Sequence, residues 1–150
     1  MIQRTTLNNG IRVLSEKVPG CHSVSLGVWV NNGSRHEPAE INGISHFVEH
    51  MLFKGTERRS AQAVAREVDS VGGLLNGFTS REYSCYFVKI LAGKLPMAVD
   101  LLGDLICNPK FDLDDIEKER RVILQEIAMI DDSPEESIHD HFTSSFWSGH

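Results

Sequence analysis

Two histidines, His46 and His50, stand four residues apart with an acid, Glu49, between them. Residues i and i+4 of a helix lie one turn apart on the same face, so two neutral imidazoles there can grip one metal ion. Glu49 is i+3 from His46 and reaches the same side. It can stay off the metal and take the proton of a water whose pKa the metal lowers from about 15.7 toward ~7. H-x-x-E-H is the mirror order of H-E-x-x-H, and either order puts two ligands and one base on a helical face. The competing reading is a solvated helix face, where histidine and glutamate are common. Against it, Phe47, Val48, Met51, Leu52 and Phe53 surround the three polar residues, and enclosed polar groups need partners.

A catalytic zinc site uses three protein ligands and one open position. Downstream, Glu117, Glu119 and Glu126 fall in one helical segment. Glu119 and Glu126 are two turns apart and share a face, with Val122 and Ile123 between them. One carboxylate could bind the metal while the other orients a histidine or tunes the water. The plainer role for Glu119 is a surface pair with Lys118, Arg120 or Arg121.

The elements that must carry these residues follow from period and punctuation. Ile2 to Leu7 and Ile11 to Glu16 read as strands joined by the turn Asn8-Asn9-Gly10. His22 to Val30 alternates, with Val24, Leu26, Val28 and Val30 on one face. The polar stretch 31–43 is a loop. A helix is predicted over about 44–53, with Gly55 as its C-terminal cap, and a second over 61–71 with Ser60 as N-cap. Strands follow over 74–78 and 83–90, then helices over about 95–106, 113–130 with Asp112 as cap, and 135–146. Strands, helices, strands, helices in that order predict an α+β fold: a largely antiparallel sheet with helices packed on one face.

Composition narrows the function classes. The chain has 150 residues, a net charge of −6 and 41% apolar residues, which suits one globular domain with a real core. Its basic runs are interrupted by acids, which argues against a nucleic-acid partner. The longest apolar runs are too short to span a bilayer, so no membrane role is expected. Met1 to Leu7 has neither an apolar signal core nor an Arg/Ser-rich run. A bacterial cytoplasmic setting is expected, or the mitochondrial matrix where a leader has been removed. Cys21, Cys85 and Cys107 are odd in number and lack a C-x-x-C pair, so they are expected as buried or half-buried small side chains without a disulfide framework.

The stretch Gly43-Ile44-Ser45-His46-Phe47-Val48-Glu49-His50-Met51-Leu52-Phe53-Lys54-Gly55-Thr56 resembles the signature of the pitrilysin-like, or inverzincin, metallopeptidases, family M16, and most closely their mitochondrial-processing-peptidase-like branch and its bacterial relatives. Glu119-Arg120-Arg121-Val122-Ile123-Leu124-Gln125-Glu126-Ile127 resembles the family's downstream helix. The resemblance implies a zinc metalloendopeptidase acting on extended peptides, with Zn²⁺ on His46, His50 and Glu126, Glu49 as general base and Glu119 as an additional catalytic acid. Gly72-Gly73 with Asn76, Thr79, Glu82 and Tyr86 is similar to the family's substrate-side strand. There Asn76 would contact the peptide, which pairs with the strand edge. Asn76-Gly77 also reads as a turn in its own right. Cys85 departs from the pattern and carries no expected role.

Family members are longer and close two similar halves around a chamber. The resemblance therefore implies most of the first, zinc-binding domain of one half, incomplete after Phe146-Trp147-Ser148-Gly149-His150, with a missing second half or second subunit as partner. It further implies weak or no activity for the chain alone, and self-association as one way to cover an incomplete face. Two other functions compete. A catalytically inactive, peptide-binding subunit of the same family would have lost part of the metal motif. An S-ribosylhomocysteine lyase uses a similar helix with a cysteine ligand, which here would have to be Cys85 or Cys107.

Overall fold

The computed structural model describes residues 1–148, so Gly149 and His150 of the closing segment lie outside the described residues. Five strands and five α-helices follow in the order β1 (Ile2–Thr6), β2 (Arg12–Glu16), β3 (Ser23–Val30), α1 (Ile44–Leu52), α2 (Ala61–Asp69), β4 (Leu74–Thr79), β5 (Ser84–Leu91), α3 (Leu95–Cys107), α4 (Leu113–Asp131) and α5 (Pro134–Phe146). The fold is α+β and every strand pairing is antiparallel.

The strands form two sheets, where the sequence suggested one. β1 and β2 make a hairpin of their own, and β3-β5-β4 make the main sheet with β5 central. Every residue of the hairpin strands is exposed. Ile2, Leu7, Ile11, Val13 and Leu14 thus have no core to enter, and alternation alone cannot tell a hairpin from a sheet edge. In the main sheet, alternation does sort the faces. Tyr86, Val88 and Ile90 of β5 enter a core with Leu52 of α1 and Ala98 and Leu102 of α3, with Val24 and Leu26 of β3 packed against it. Val64 and Val68 of α2 meet Leu101 and Leu105 of α3 in an adjoining cluster. The other face has little cover. There Trp29 packs edge-on against Phe78 with ring centroids 6.0 Å apart, and both lie in register with buried Cys85.

Two sequence expectations need correction. α1 ends at Leu52 and is capped by Phe53, so Gly55 is not its cap. Gly55 instead turns the chain at φ 116°, where a Cβ would lie 2.6 Å from the Arg59 carbonyl, and it bridges to Ser60. The cysteines also differ: Cys85 is buried, but Cys21 and Cys107 are exposed, and all three are free. Cys21 follows the Pro19-Gly20 turn and Cys107 closes α3 on its outer side, so neither position faces a core.

The turn after α1 is pinned by charge. Asp104 of α3 has a fully shielded side chain and accepts from Thr56 Oγ1 (2.8 Å), Arg58 Nε (2.9 Å), Arg59 Nη1 (2.7 Å) and Asn108 Nδ2 (3.2 Å). Burial pushes this carboxyl up, but the four donors outweigh burial and hold it well below the usual carboxylate range. The same turn bonds the chain leading into α4, through Lys110 N to Gly55 O at 3.2 Å and Glu57 N to Asn108 O at 3.4 Å. One ionic knot therefore fixes where α1 leaves off and where α4 begins. No described helix is long and apolar enough to cross a membrane.

The accessible surface is 11063 Å² for a 16.8 kDa chain. A compact folded monomer of that mass exposes about 7,700 Å². The excess comes from the bare hairpin, the open sheet face and α5, whose Ile138, Phe142 and Phe146 form an exposed apolar stripe at i, i+4, i+8.

Candidate metal centre

α1 is held at its start by Glu37, whose carboxylate accepts from Gly43 N at 2.6 Å and Ser45 N at 2.7 Å. An acid on these unpaired amides suits the positive end of a helix. Burial pushes the Glu37 carboxyl up, but the Ser45 side chain and then the Gly43 and Ser45 amides outweigh it and hold the carboxyl low. Met51 and Leu52 anchor the helix in the core. That orientation leaves His46, Glu49 and His50 along the side facing α4 and the β4 edge. The His46 and His50 rings stand 4.7 Å apart and nearly perpendicular.

α4 starts at Asp112, which caps it by accepting from Asp114 N at 3.0 Å. Its phase decides among the three candidate acids. Glu117 points away and pairs with Arg120 at 3.5 Å. Glu119 and Glu126 share the face toward α1. Glu126 Oε2 lies 3.8 Å from His46 Nε2 and 3.5 Å from His50 Nε2. Each of the three residues offers one ligand atom, and these atoms lie within 4.8 Å of one another; among the described residues no other group of His, Cys, Asp and Glu does this.

Glu119 does not form the surface pairs open to it in sequence. It is buried, with Oε2 3.0 Å from His50 Nδ1 and Oε1 2.5 Å from Lys54 Nζ. Burial raises its carboxyl, while the hydrogen bonds with Lys54 and His50 more than offset this and keep it ionised. An ionised carboxylate only accepts, so His50 donates from Nδ1 to Glu119, while its Nε2 faces Glu126. A carboxylate on the second ring nitrogen is the arrangement in which metal-binding imidazoles are commonly held.

A hollow of about 270 Å³ opens beside this cluster, bordered by Glu49, His50, Phe53, Lys54, Asn76 and Glu119. Asn76 and Gly77 lie inside continuous β4, so the strand reading prevails over the turn. Asn76 Oδ1 accepts from Gly77 N at 2.8 Å. Packing around Gly77 is tight: a Cβ there would come within 3.1 Å of both the Phe53 and Tyr86 rings, which would have to shift by a few tenths of an ångström. Burial first, and then the Glu49 charge, push the Tyr86 hydroxyl up, against a smaller pull from Ser84.

The residues fit a zinc ion on two counts. A tetrahedral zinc with bonds of ~2.0–2.1 Å holds its ligand atoms about 3.3 Å apart. The Nε2–Oε2 separations here are close to that and too long to be good hydrogen bonds. In addition, Glu49 Oε2 is buried with no hydrogen-bond partner among the described residues, which native proteins rarely allow without a role. Cys85 and Cys107 take no part in the cluster, which removes the cysteine-ligand reading. Sequence reasoning assigned no role to Lys54, Phe53 or Glu37. Lys54 had a signal, since it is four residues beyond His50; Glu37 had none, because its partners are backbone amides.

The family model for insulinase, peptidase family M16, matches residues 12–150. An uncharacterised zinc protease of Mycobacterium tuberculosis is 49% identical over 148 residues, covering 99% of this chain and 34% of that protein. The mitochondrial-processing peptidase subunit beta of Dictyostelium discoideum is 44% identical over 146 residues, 97% of this chain and 31% of its own length. The crystal structure of a protease from Helicobacter pylori superposes with a TM-score of 0.87 at 28% identity, covering 91% of this chain and 33% of that one. The chain spans about a third of the length of these relatives. With a family match over nearly the whole sequence, the chain belongs to the insulinase family of metallopeptidases, peptidase family M16.

Proposed function

We propose that this chain is the zinc-binding unit of an endopeptidase that hydrolyses extended or unfolded peptides. The observation that carries the reading is the convergence of His46, His50 and Glu126 from two helices, with the unpartnered Glu49 oxygen beside them. His46, His50 and Glu126 would hold the zinc. When bound, zinc lowers the pKa of a water and polarises a carbonyl. Glu49 takes the proton of the attacking water and delivers it to the leaving amine. Glu119 holds His50 in orientation. The peptide lies along the open edge of β4, which has no strand partner beyond it among the described residues, with Asn76 touching it near the bond that breaks.

Removing Glu126 is the direct test of the ligand set. Glu126→Ala is expected to weaken zinc by more than the about 10- to 100-fold that losing only an outer partner of a ligand costs. Competition with a chromophoric chelator measures this, and unchanged affinity and stoichiometry remove Glu126 from the set.

The rest of the reading concerns what the relatives have in addition. A further half or a second subunit supplies the opposite wall of the chamber, and the 150-residue chain alone is expected to cleave weakly or not at all. Robust hydrolysis of an unfolded peptide by this chain contradicts that. Its large accessible surface supports self-association of the isolated chain, which sedimentation reads directly. An inactive binding subunit is the lesser reading, because every donor of the site is present.

A further inference from the structure

We propose that Lys54 is a positioning residue for the metal centre, seating Glu119 so that α1 and α4 present their ligand atoms in register. The inference rests on the zinc-site reading above. Glu119 belongs to α4, while both of its partners, His50 and Lys54, belong to α1 and the turn just after it. Lys54 is fixed at its backbone by donation from its N–H to the Met51 carbonyl at 3.0 Å. Its ammonium therefore rises beside His50, about one turn further on.

The physical need is for a second point of attachment. A carboxylate held only by His50 through Oε2 could still rotate about its terminal bonds, and its other oxygen would be buried without a partner. Lys54 occupies that oxygen at 2.5 Å. The carboxylate is then fixed at both ends, and the imidazole inherits its orientation. Glu119 is also the one buried residue of α4. The apolar side chains near that face, Ile116 and Ile123, are only half-buried, so this charged contact adds to modest apolar packing in setting the distance between the helices. Seven positions on from Glu119, Glu126 is carried to His46 and His50 by the same seating.

The test uses the full chain and needs no peptidase activity. Lys54→Met, which keeps length and loses the charge, is expected to bind zinc about 10–100-fold more weakly by chelator competition. Its cobalt-loaded form should show a shifted d–d absorption band, which a loss of stability alone does not produce. Lys54→Arg recovers most of the affinity. In a Glu119→Gln background, Lys54→Met adds little further loss, because the lysine acts only through that carboxylate. If Lys54→Met fails to fold by circular dichroism, Lys54→Gln takes its place with the same expectations. Zinc affinity and cobalt spectrum equal to the parent, or additive losses in the double variant, overturn the proposal. A parent chain that binds no zinc overturns the metal-site reading beneath it, a distinct result.

Discussion

Glu49→Gln is expected to leave zinc content unchanged and to lower kcat/KM of the complete peptidase by about 10²–10⁴-fold, the usual worth of a general base. Glutamine fills the same space and sits on the same helix, so the ligands on either side need not move. What it lacks is an oxygen able to hold a proton at neutral pH. The buried Oε2 of Glu49 has no hydrogen-bond partner among the described residues, and Glu49 borders the hollow that His50 and Asn76 also line, so no hydrogen bond of that oxygen is lost when it changes. The Tyr86 hydroxyl cannot substitute, because burial, which remains in the variant, favours its neutral form. Zinc stoichiometry and turnover measured on one preparation separate the outcomes. Full activity in the variant would falsify the assigned role of Glu49.

Asp104→Asn is expected to cost roughly 3 kcal/mol of stability at neutral pH, in line with breaking a buried ion pair by removing one partner, and to lower Tm by about 6–12 °C for a chain of this size. Arg59 is mostly buried and would be left with fewer acceptors, and Thr56 would lose its charged one. The pH dependence has a definite sign. The folded-state pKa of Asp104 is depressed, so its contribution is complete above the free-aspartate value of about 4. It is lost as pH falls below that value toward the depressed one. Urea midpoints between about pH 5 and pH 2 are therefore expected to fall more steeply for the parent than for Asp104→Asn. Parallel slopes would show that the knot is not what acid titrates.

The difference between these residues is also a difference in what sequence can reveal. His46, Glu49 and His50 are close because of helix geometry, and spacing alone exposes them. Glu119 and Glu126 share a face for the same reason, but nothing in α4 tells which face meets α1. That depends on the turn at 55–60 and on Asp104, whose partners Thr56, Arg58 and Arg59 lie more than forty residues away. Such pairs have no period to read. The main sheet was legible because β3, β4 and β5 have one face packed against helices. β2 of the β1–β2 hairpin alternates similarly, yet every residue of both hairpin strands is exposed, so its detachment could not be seen. Asn76-Gly77 misleads locally as a turn; Phe53 and Tyr86 pressing on Gly77 explain the glycine instead.

α4 is nineteen residues long, and its one buried side chain is the charged Glu119. Hydrophobic free energy resists local opening in proportion to the apolar area that opening would expose. Detaching α4 from α1 would expose Glu119 and the half-buried Ile116 and Ile123, less apolar area than opening β5, so its amides are expected to exchange faster than those of β5. Whatever gathers Glu119 and Glu126 against the histidines also closes this helix. Ligand binding there would be read out as slower exchange along all of α4, coupling occupancy of the site to the order of one element.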